Sequence, residues 1–124
     1  MTPTTTRLSA IRGATTADDD TSDSIRAATA ELLGEVLRRN ALHAADIVSI
    51  IFTATSDLRA DFPAVAAREM GLSSTPLLCC QEIPVGGAVP RCIRVLMHCY
   101  LPDQTGAHHV YLRGARGLRL DLPE

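Results

Sequence analysis

The sequence predicts an α+β fold, in which one mixed, five-stranded sheet carries one long helix and a short helix. The first observation is a single segment with apolar residues at helical spacing, between a short alternating segment and a mostly apolar, β-branched run. The second is that one short helical segment then precedes three further strand-like segments. This order of elements is typical of an α+β domain with the main helix across one face of the sheet.

The first half of the chain is predicted to contain two strands and the long helix. Residues 1–6 are mostly threonine and should form a loose end, and residues 8–14 alternate as a short strand. The helix should start at a Thr or Ser cap at 21–22 and end at the basic pair 38–39. Residues 47–52 are apolar except for Ser49 and mostly β-branched, which predicts a central strand covered on both faces.

The second half is predicted to contain a short helix and three strands. The helix should cover residues 62–70, and the strands should cover 76–81, 93–101 and 107–113. The ending, residues 114–124, predicts an edge strand or a mobile flap. Because the long helix covers only one face of the sheet, we expect an oligomer to cover the other.

Length and charge limit the classes of function. At 124 residues the chain should be one domain, 1–124, with a core of its own. Its net charge of −2 creates no global field for nucleic acid or an acidic membrane, and 3% aromatic residues argue against a base-stacking surface. The apolar runs are too short to span a membrane, and the N-terminus lacks the order of a signal peptide. We therefore expect a cytoplasmic protein that binds neither nucleic acid nor membrane.

An acid and a cation stand out in the middle of the chain. Glu82 follows the apolar run 75–80, and Arg94 lies inside the run 92–101. Proline and glycine residues within 84–90 break the chain between them, so the two runs should be separate strands. A charge inside a strand of core composition needs a partner or a ligand. The pair therefore indicates either a structural ion pair or a binding site.

The cysteines are predicted to be small, reduced core residues. They show no C-x-x-C spacing and are Cys79, Cys80, Cys92 and Cys99. A metal site that also uses His98, His108 and His109 is the alternative, but the pairs lack the spacing of zinc ligands.

Seven short segments, taken in order from Ile11 to Asp121, resemble one known family. They are 11–16 (IRGATT), 54–58 (ATSDL), 62–64 (FPA), 67–69 (ARE), 79–82 (CCQE), 92–95 (CIRV) and 109–112 (HVYL). Each segment is weak evidence alone, but the ordered set is specific. With this set the chain resembles a chorismate mutase of the AroH type.

The resemblance implies an enzyme that rearranges chorismate to prephenate, in the branch toward phenylalanine and tyrosine, without a cofactor. It implies a homotrimer of pseudo-barrel form, with active sites in the clefts between neighbouring subunits. The reaction is a Claisen rearrangement, a single step in which an ether C–O bond breaks while a C–C bond forms. Such a step needs a compact substrate conformation and stabilisation of the charge that separates in the transition state.

The resemblance also implies the residues that do this. Arg94 would stabilise negative charge on the ether oxygen. Glu82 would hold the ring hydroxyl and oppose positive charge on the ring, and Cys79 would touch the same hydroxyl. Arg12 and Tyr111 would bind one of the two substrate carboxylates.

The remaining implied contacts surround the ring and the entrance. Phe62 and Ala64 would form an apolar wall, and Arg68 and Arg119 would lie near the mouth of the cleft. One subunit would supply Arg12, Leu78, Cys79, Glu82, Arg94 and Tyr111. The neighbouring subunit would supply Phe62, Ala64 and Arg68.

One position of this chain departs from the family's pattern. The family often has lysine where this chain has Val65, so we expect weaker substrate capture and a largely unaffected chemical step.

Three other functions are alternatives to a chorismate mutase. They are a trimeric small-molecule-binding or imine-hydrolysing protein with a similar cleft, a non-catalytic sensor that kept the pocket, and a redox or metal protein that uses Cys79 and Cys80.

Overall fold

The computed structural model describes residues 5–118, which form one sheet with a long helix packed on it. The strands are β1 (Thr6–Thr16), β2 (Ile47–Ala54), β3 (Leu77–Gln81), β4 (Cys92–Pro102) and β5 (Val110–Tyr111), and the helices are α1 (Ser22–Arg39) and α2 (Ala64–Glu69). Two single-turn 3-10 helices cover Ala44–Asp46 and Arg113–Ala115. The predicted α+β class is confirmed, together with the order of its helices and strands. Within residues 5–118, no helix is both long and apolar enough to cross a membrane.

The sheet has β4 at its centre, in the strand order β3-β2-β4-β1-β5. β4 is antiparallel to β1 and β2, whereas β3 and β5 run parallel to their neighbours, so the sheet is mixed as predicted. Because successive side chains of a strand point to opposite faces, Ile11 and Met97 lie on one face, where they are buried. Arg12 and Arg94 lie on the other face, where they are exposed.

The helix α1 begins and ends close to the predicted residues. The hydroxyl of Thr21 accepts a hydrogen bond from the Ser24 N–H, and Arg38 and Arg39 lie in the last turn, where a cation suits the helix dipole. Its buried stripe is Ile25, Ala28, Thr29, Leu32, Leu33 and Val36. The stripe packs on the face of the sheet that carries Ile11 and Met97, and this contact forms the main core.

The other face of the sheet is open in the single chain. Leu8 and Tyr100 are 55% and 46% exposed on it, and Leu78 on β3 is also exposed. The prediction that the strand at 47–52 is covered on both faces is therefore wrong for the chain by itself. Ile51 is only half-buried, because α1 covers one face and no described element covers the second, and Val48 is 40% exposed at a register irregularity between Ile47 and Ser49.

The C-terminal end differs from the predicted strands. β5 pairs through only two residues, Val110 and Tyr111, instead of the predicted 107–113. Residues 113–115 then form a 3-10 helix, and the Gly114 N–H donates to the hydroxyl of Thr16. The part of the predicted tail that is described, 114–118, thus forms no edge strand. Arg119 and the rest of the tail lie outside the described residues.

Candidate functional site

The candidate site lies on the open face, where four strands place side chains in one cross-strand row. Ala14 of β1 pairs with Arg94 of β4 on one side and with Tyr111 of β5 on the other. Arg94 in turn pairs with Thr53 of β2. Ala14 itself is fully buried, whereas Arg94 and Tyr111 on its two sides both line one pocket.

Glu82 reaches the same row from the end of β3. Its N–H donates to the carbonyl of Ala54 at 2.9 Å, which continues the β2–β3 ladder beyond the strand. The Thr53 hydroxyl donates to Glu82 Oε1 at 2.7 Å, and Arg94 Nε lies 3.4 Å from the same oxygen. The acid and the cation that stand out in the sequence are therefore in contact.

A second row lies next to the first and forms the floor. Arg12 of β1 pairs with Leu96 of β4, which pairs with Ile51 of β2, which pairs with Leu78 of β3. A pocket of about 270 Å³ opens over the two rows. Its lining combines the charged and hydroxyl groups with an apolar floor and is Arg12, Gly13, Ile51, Thr53, Glu82, Arg94, Val95, Leu96 and Tyr111. This volume is small for a ligand pocket, which usually measures roughly 300–1,000 Å³.

The pocket is locally positive, although the whole chain has a net charge of −2. It contains two guanidinium groups and one carboxylate. Arg94 and Glu82 are 49% and 27% exposed, and an ion pair as accessible as this contributes only about 0–1 kcal/mol to stability. An anionic ligand can therefore compete for the Arg94 guanidinium at little cost.

Cys92 lies beside Arg94 and is buried. Burial raises the pKa of the Cys92 thiol, and the nearby Arg94 guanidinium opposes that shift in part. The thiol is therefore protonated and neutral near pH 7, which suits a packing neighbour of Arg94 and does not suit a nucleophile or metal ligand.

Two other predicted site residues line a different pocket. Phe62, which is 65% exposed, and Cys79 border a hollow of about 440 Å³. Cys79 pairs with Phe52 in the parallel β2–β3 register and packs against the main core, so it faces away from Glu82. Within one chain, the structure does not bring Cys79 to the pocket of Glu82 and Arg94.

The other predicted contacts are distributed around these two pockets. Leu78 lies in the row of Arg12, at the far edge of the sheet, and is 58% exposed. Arg68 is exposed in the last turn of α2. Ala64 is 5% exposed and packs in the main core of its own chain, and its place in the expected apolar wall stays a prediction. Arg119 lies outside the described residues.

Sequence reasoning missed Thr53, Ile51 and Leu96. The predicted strand ended at residue 52, but β2 continues to Ala54. The β-branched character of Thr53, directly after an apolar strand, was the signal that favoured this continuation.

The metal interpretation finds no support in the part of the chain that the structure describes. Residues 5–118 contain no group of three or more His, Cys, Asp or Glu side chains that would hold a metal ion. Cys79 and Cys80 are adjacent in β3 and therefore point to opposite faces of the sheet.

The chain is similar to known proteins over most of its length. The family model described as chorismate mutase type I matches residues 8–122. Two proteins named chorismate mutase AroH are similar over 114 residues: the one from Thermus thermophilus is 46% identical, covering 90% of this chain and 93% of that protein. The one from Bacillus subtilis is 41% identical and covers 90% of each. The solved structure of a chorismate mutase from Clostridium thermocellum superposes with a TM-score of 0.83 at 53% identity, covering 87% of this chain and 97% of that chain.

Proposed function

The chain belongs to the type I chorismate mutase family, an isomerase family that converts chorismate to prephenate, and we propose that it does so in clefts shared by neighbouring subunits of a homotrimer. The observation that carries this proposal is the convergence of Arg12, Glu82, Arg94 and Tyr111 on one open pocket. These are side chains for binding a dianion and stabilising charge, which is what a rearrangement without covalent or proton-transfer steps requires.

The proposed role of Arg94 is to stabilise the ether oxygen of chorismate as its C–O bond breaks. Negative charge grows on that oxygen in the transition state, and the guanidinium is already held at 3.4 Å from Glu82. A group that is fixed before the reaction needs no reorganisation when the charge appears. Losing one well-placed donor to a developing oxyanion costs about 3–4 kcal/mol.

The proposed role of Glu82 is to receive the ring hydroxyl and to oppose positive charge on the ring. Thr53 and Arg94 both contact Oε1, which leaves Oε2 for the substrate. Thr53 thus becomes a positioning residue for Glu82, because its hydroxyl fixes one oxygen of the carboxylate.

Arg12 and Tyr111 are proposed to bind one substrate carboxylate. They lie in adjacent cross-strand rows on neighbouring strands, so their donors border the same side of the pocket. The apolar floor of Ile51 and Leu96 would contact the ring and favour the compact conformation that brings the two reacting carbons together.

The neighbouring subunit is proposed to complete the cleft. The pocket of one chain is small and open, and Phe62 and Arg68 are exposed elsewhere on the same chain. We also assign Cys79 to the neighbour's contribution, with Phe62, because the two residues share a pocket and Cys79 faces away from Glu82 in its own chain. Two different surfaces of a chain then meet head to tail, and such contacts can close into a ring. Three is the number of subunits that the resemblance implies.

The proposal includes a cytoplasmic location. It is supported by the four cysteines, which are all free. Reduced cysteines of this kind are typical of cytosolic proteins.

Turnover is tested by mixing the purified protein with chorismate and following the loss of its ultraviolet absorbance. We expect turnover without added metal or cofactor. Binding of chorismate without turnover would instead support the sensor, and absence of both would contradict the proposed function.

Sharing of the cleft is tested by mixing two inactive variants. In the proposed trimer, Arg94→Ala and Arg68→Ala damage opposite sides of each cleft. Refolding the two variants together should restore activity, because some mixed trimers contain clefts in which both arginines are present. If both residues served a cleft within one subunit, every cleft would keep one defect and no activity would return.

A further inference from the structure

One hydrogen bond joins the backbone of Arg12 to a side chain that has no assigned role. The Arg12 N–H donates to Nδ1 of His109 at 2.9 Å. We propose that His109 is a positioning residue, which fixes Arg12 of β1 relative to β5 and thus to Tyr111. This inference rests on the proposed function, because it assumes that Arg12 and Tyr111 bind the substrate together.

The position of this bond explains why a side chain is needed. The Leu112 N–H donates to the carbonyl of Ala14, so Ala14 turns its backbone groups toward β5. Arg12 is two residues earlier in β1, so its backbone N–H and carbonyl also point toward β5. The β1–β5 pairing, however, begins only at Gly13 and Val110. The ring of His109 therefore accepts the hydrogen bond from the Arg12 N–H. A backbone carbonyl would accept this bond if the β1–β5 pairing extended by one more step.

A second contact shows why that backbone pair does not form. Asn40, at the end of α1, donates through Nδ2 to the carbonyl of His108 at 2.9 Å, and its Oδ1 accepts from the His108 N–H at 2.8 Å. The backbone of residue 108 is thereby held by the helix and not by β1. The imidazole of His109 bridges the resulting gap between β1 and the segment that leads into β5.

This bridge links the two residues proposed for one carboxylate. His109 lies two residues before Tyr111, so the Arg12–His109 bond ties one carboxylate donor to the strand of the other. Without an acceptor at this position, the exposed Arg12 N–H would be left to water and the two strands would be free to separate there. The separation would change the spacing of the two donors and weaken substrate binding, while Arg94 and Glu82 keep their places.

Because His109 acts as a hydrogen-bond acceptor for Arg12, replacing His109 with residues that have or lack an acceptor tests the inference. Nδ1 accepts, so the ring proton of the neutral imidazole lies on Nε2. The oxygen of an asparagine side chain occupies nearly the same place as Nδ1, whereas leucine fills the space without an acceptor. His109→Asn should keep the bond, and His109→Leu should lose it.

The kinetic experiment measures KM and kcat for these two variants, with His108→Leu as the matched control. His108 is the exposed neighbour, and its backbone contacts do not depend on its ring. His109→Leu should raise KM roughly three- to tenfold, in line with the loss of one hydrogen bond, with kcat within about twofold. His109→Asn and His108→Leu should stay near the wild-type KM. An unchanged KM in His109→Leu, or an equal loss in His109→Asn, would overturn the assignment.

Amide hydrogen exchange without substrate tests the bond itself. The Arg12 amide should exchange slowly in the wild type and in His109→Asn, and fast in His109→Leu. Fast exchange in the wild type would overturn the bridge, whatever the protein does to chorismate. A wild-type protein that shows this protection but no turnover would instead contradict the proposed function.

Discussion

At the scale of the residue, the site depends on side chains that are held in place and still accessible. Arg94 contacts Glu82 and packs beside the neutral thiol of Cys92, yet half of its surface is exposed. The Thr53 hydroxyl donates to the same oxygen of the Glu82 carboxylate. These contacts fix the direction of the guanidinium without neutralising it, so a bound anion can use it.

Arg94→Ala is expected to lower kcat at least about a hundred- to a thousandfold and to leave the oligomer intact, because it removes the cation at the breaking bond. Turnover and molar mass by light scattering would be measured together. Arg38→Ala is the control, since Arg38 pairs with Glu35 on the outer surface of α1. A near-wild-type rate for Arg94→Ala would mean that charge stabilisation comes from elsewhere.

Val65→Lys is expected to lower KM more than it changes kcat. Val65 lies half-buried on α2, three residues from Arg68, where an added cation would strengthen the field that attracts a dianion. The effect should shrink as salt is added, because exposed charges are screened. Val65→Gln has a similar shape without the charge and serves as the control. If KM stayed the same, an entrance role for this position would be excluded.

At the scale of the element, the centre of the sheet and its β5 edge differ in how they are held. β4 pairs with both neighbours over long registers, whereas β5 has two paired residues. So short a strand owes its position to side chains, and Asn40 supplies part of the support from the end of α1. Helix α1 therefore contributes to the site through β5, although none of its residues lines the pocket.

Asn40→Ala is expected to reduce the free energy of unfolding by about 2–3 kcal/mol, because the His108 N–H and carbonyl and the Val36 carbonyl lose their side-chain partner. Thermal unfolding would show a lower Tm. Asn40→Asp keeps the acceptor for the His108 N–H, so its Tm should lie between those of the wild type and Asn40→Ala. A Tm within a degree of wild type for Asn40→Ala would show that β5 is held by other contacts.

At the scale of the whole molecule, one face of the sheet is covered by the chain itself and the other face is open. The α1 side is buried by the chain's own core, whereas Leu8, Tyr100 and Leu78 are exposed on the open side, near the pocket. Exposed apolar surface of this kind marks a contact with another molecule. In the proposed trimer, the same association covers this face and completes the cleft.

Leu8→Asp is expected to weaken the proposed trimer and its activity together while the secondary structure is retained, because a charge would be buried in the association. Sedimentation would follow the mass, which should fall from three times the 13.3 kDa of one chain. Ala45→Asp adds the same charge to the exposed 3-10 helix and should change neither the mass of the oligomer nor its activity. A full-sized, active Leu8→Asp protein would place the interface on another surface.

Local patterns in the sequence were sufficient for the elements that depend on near neighbours. The cap at Thr21, the apolar stripe of α1 and the apolar runs of β2 and β4 follow from spacing over a few residues, and all were predicted. The need of Arg94 for a partner was also evident, because a cation in an apolar strand is costly by itself. The family resemblance then supplied the convergence of Arg12, Glu82, Arg94 and Tyr111, which no local pattern contains.

Only the tertiary structure decided how distant residues pair. Whether Thr53 belongs to a strand, which pocket Cys79 faces and why β5 stops at two residues all depend on register and on partners far apart in the chain, 68 positions for Asn40 and His108 and 97 for Arg12 and His109. Side-chain alternation assigns a face only after the strand's neighbours are known, so a sequence pattern leaves that choice open. The sequence thus determined which elements form and which charges need partners, and the packing of the sheet determined which residues meet around the pocket.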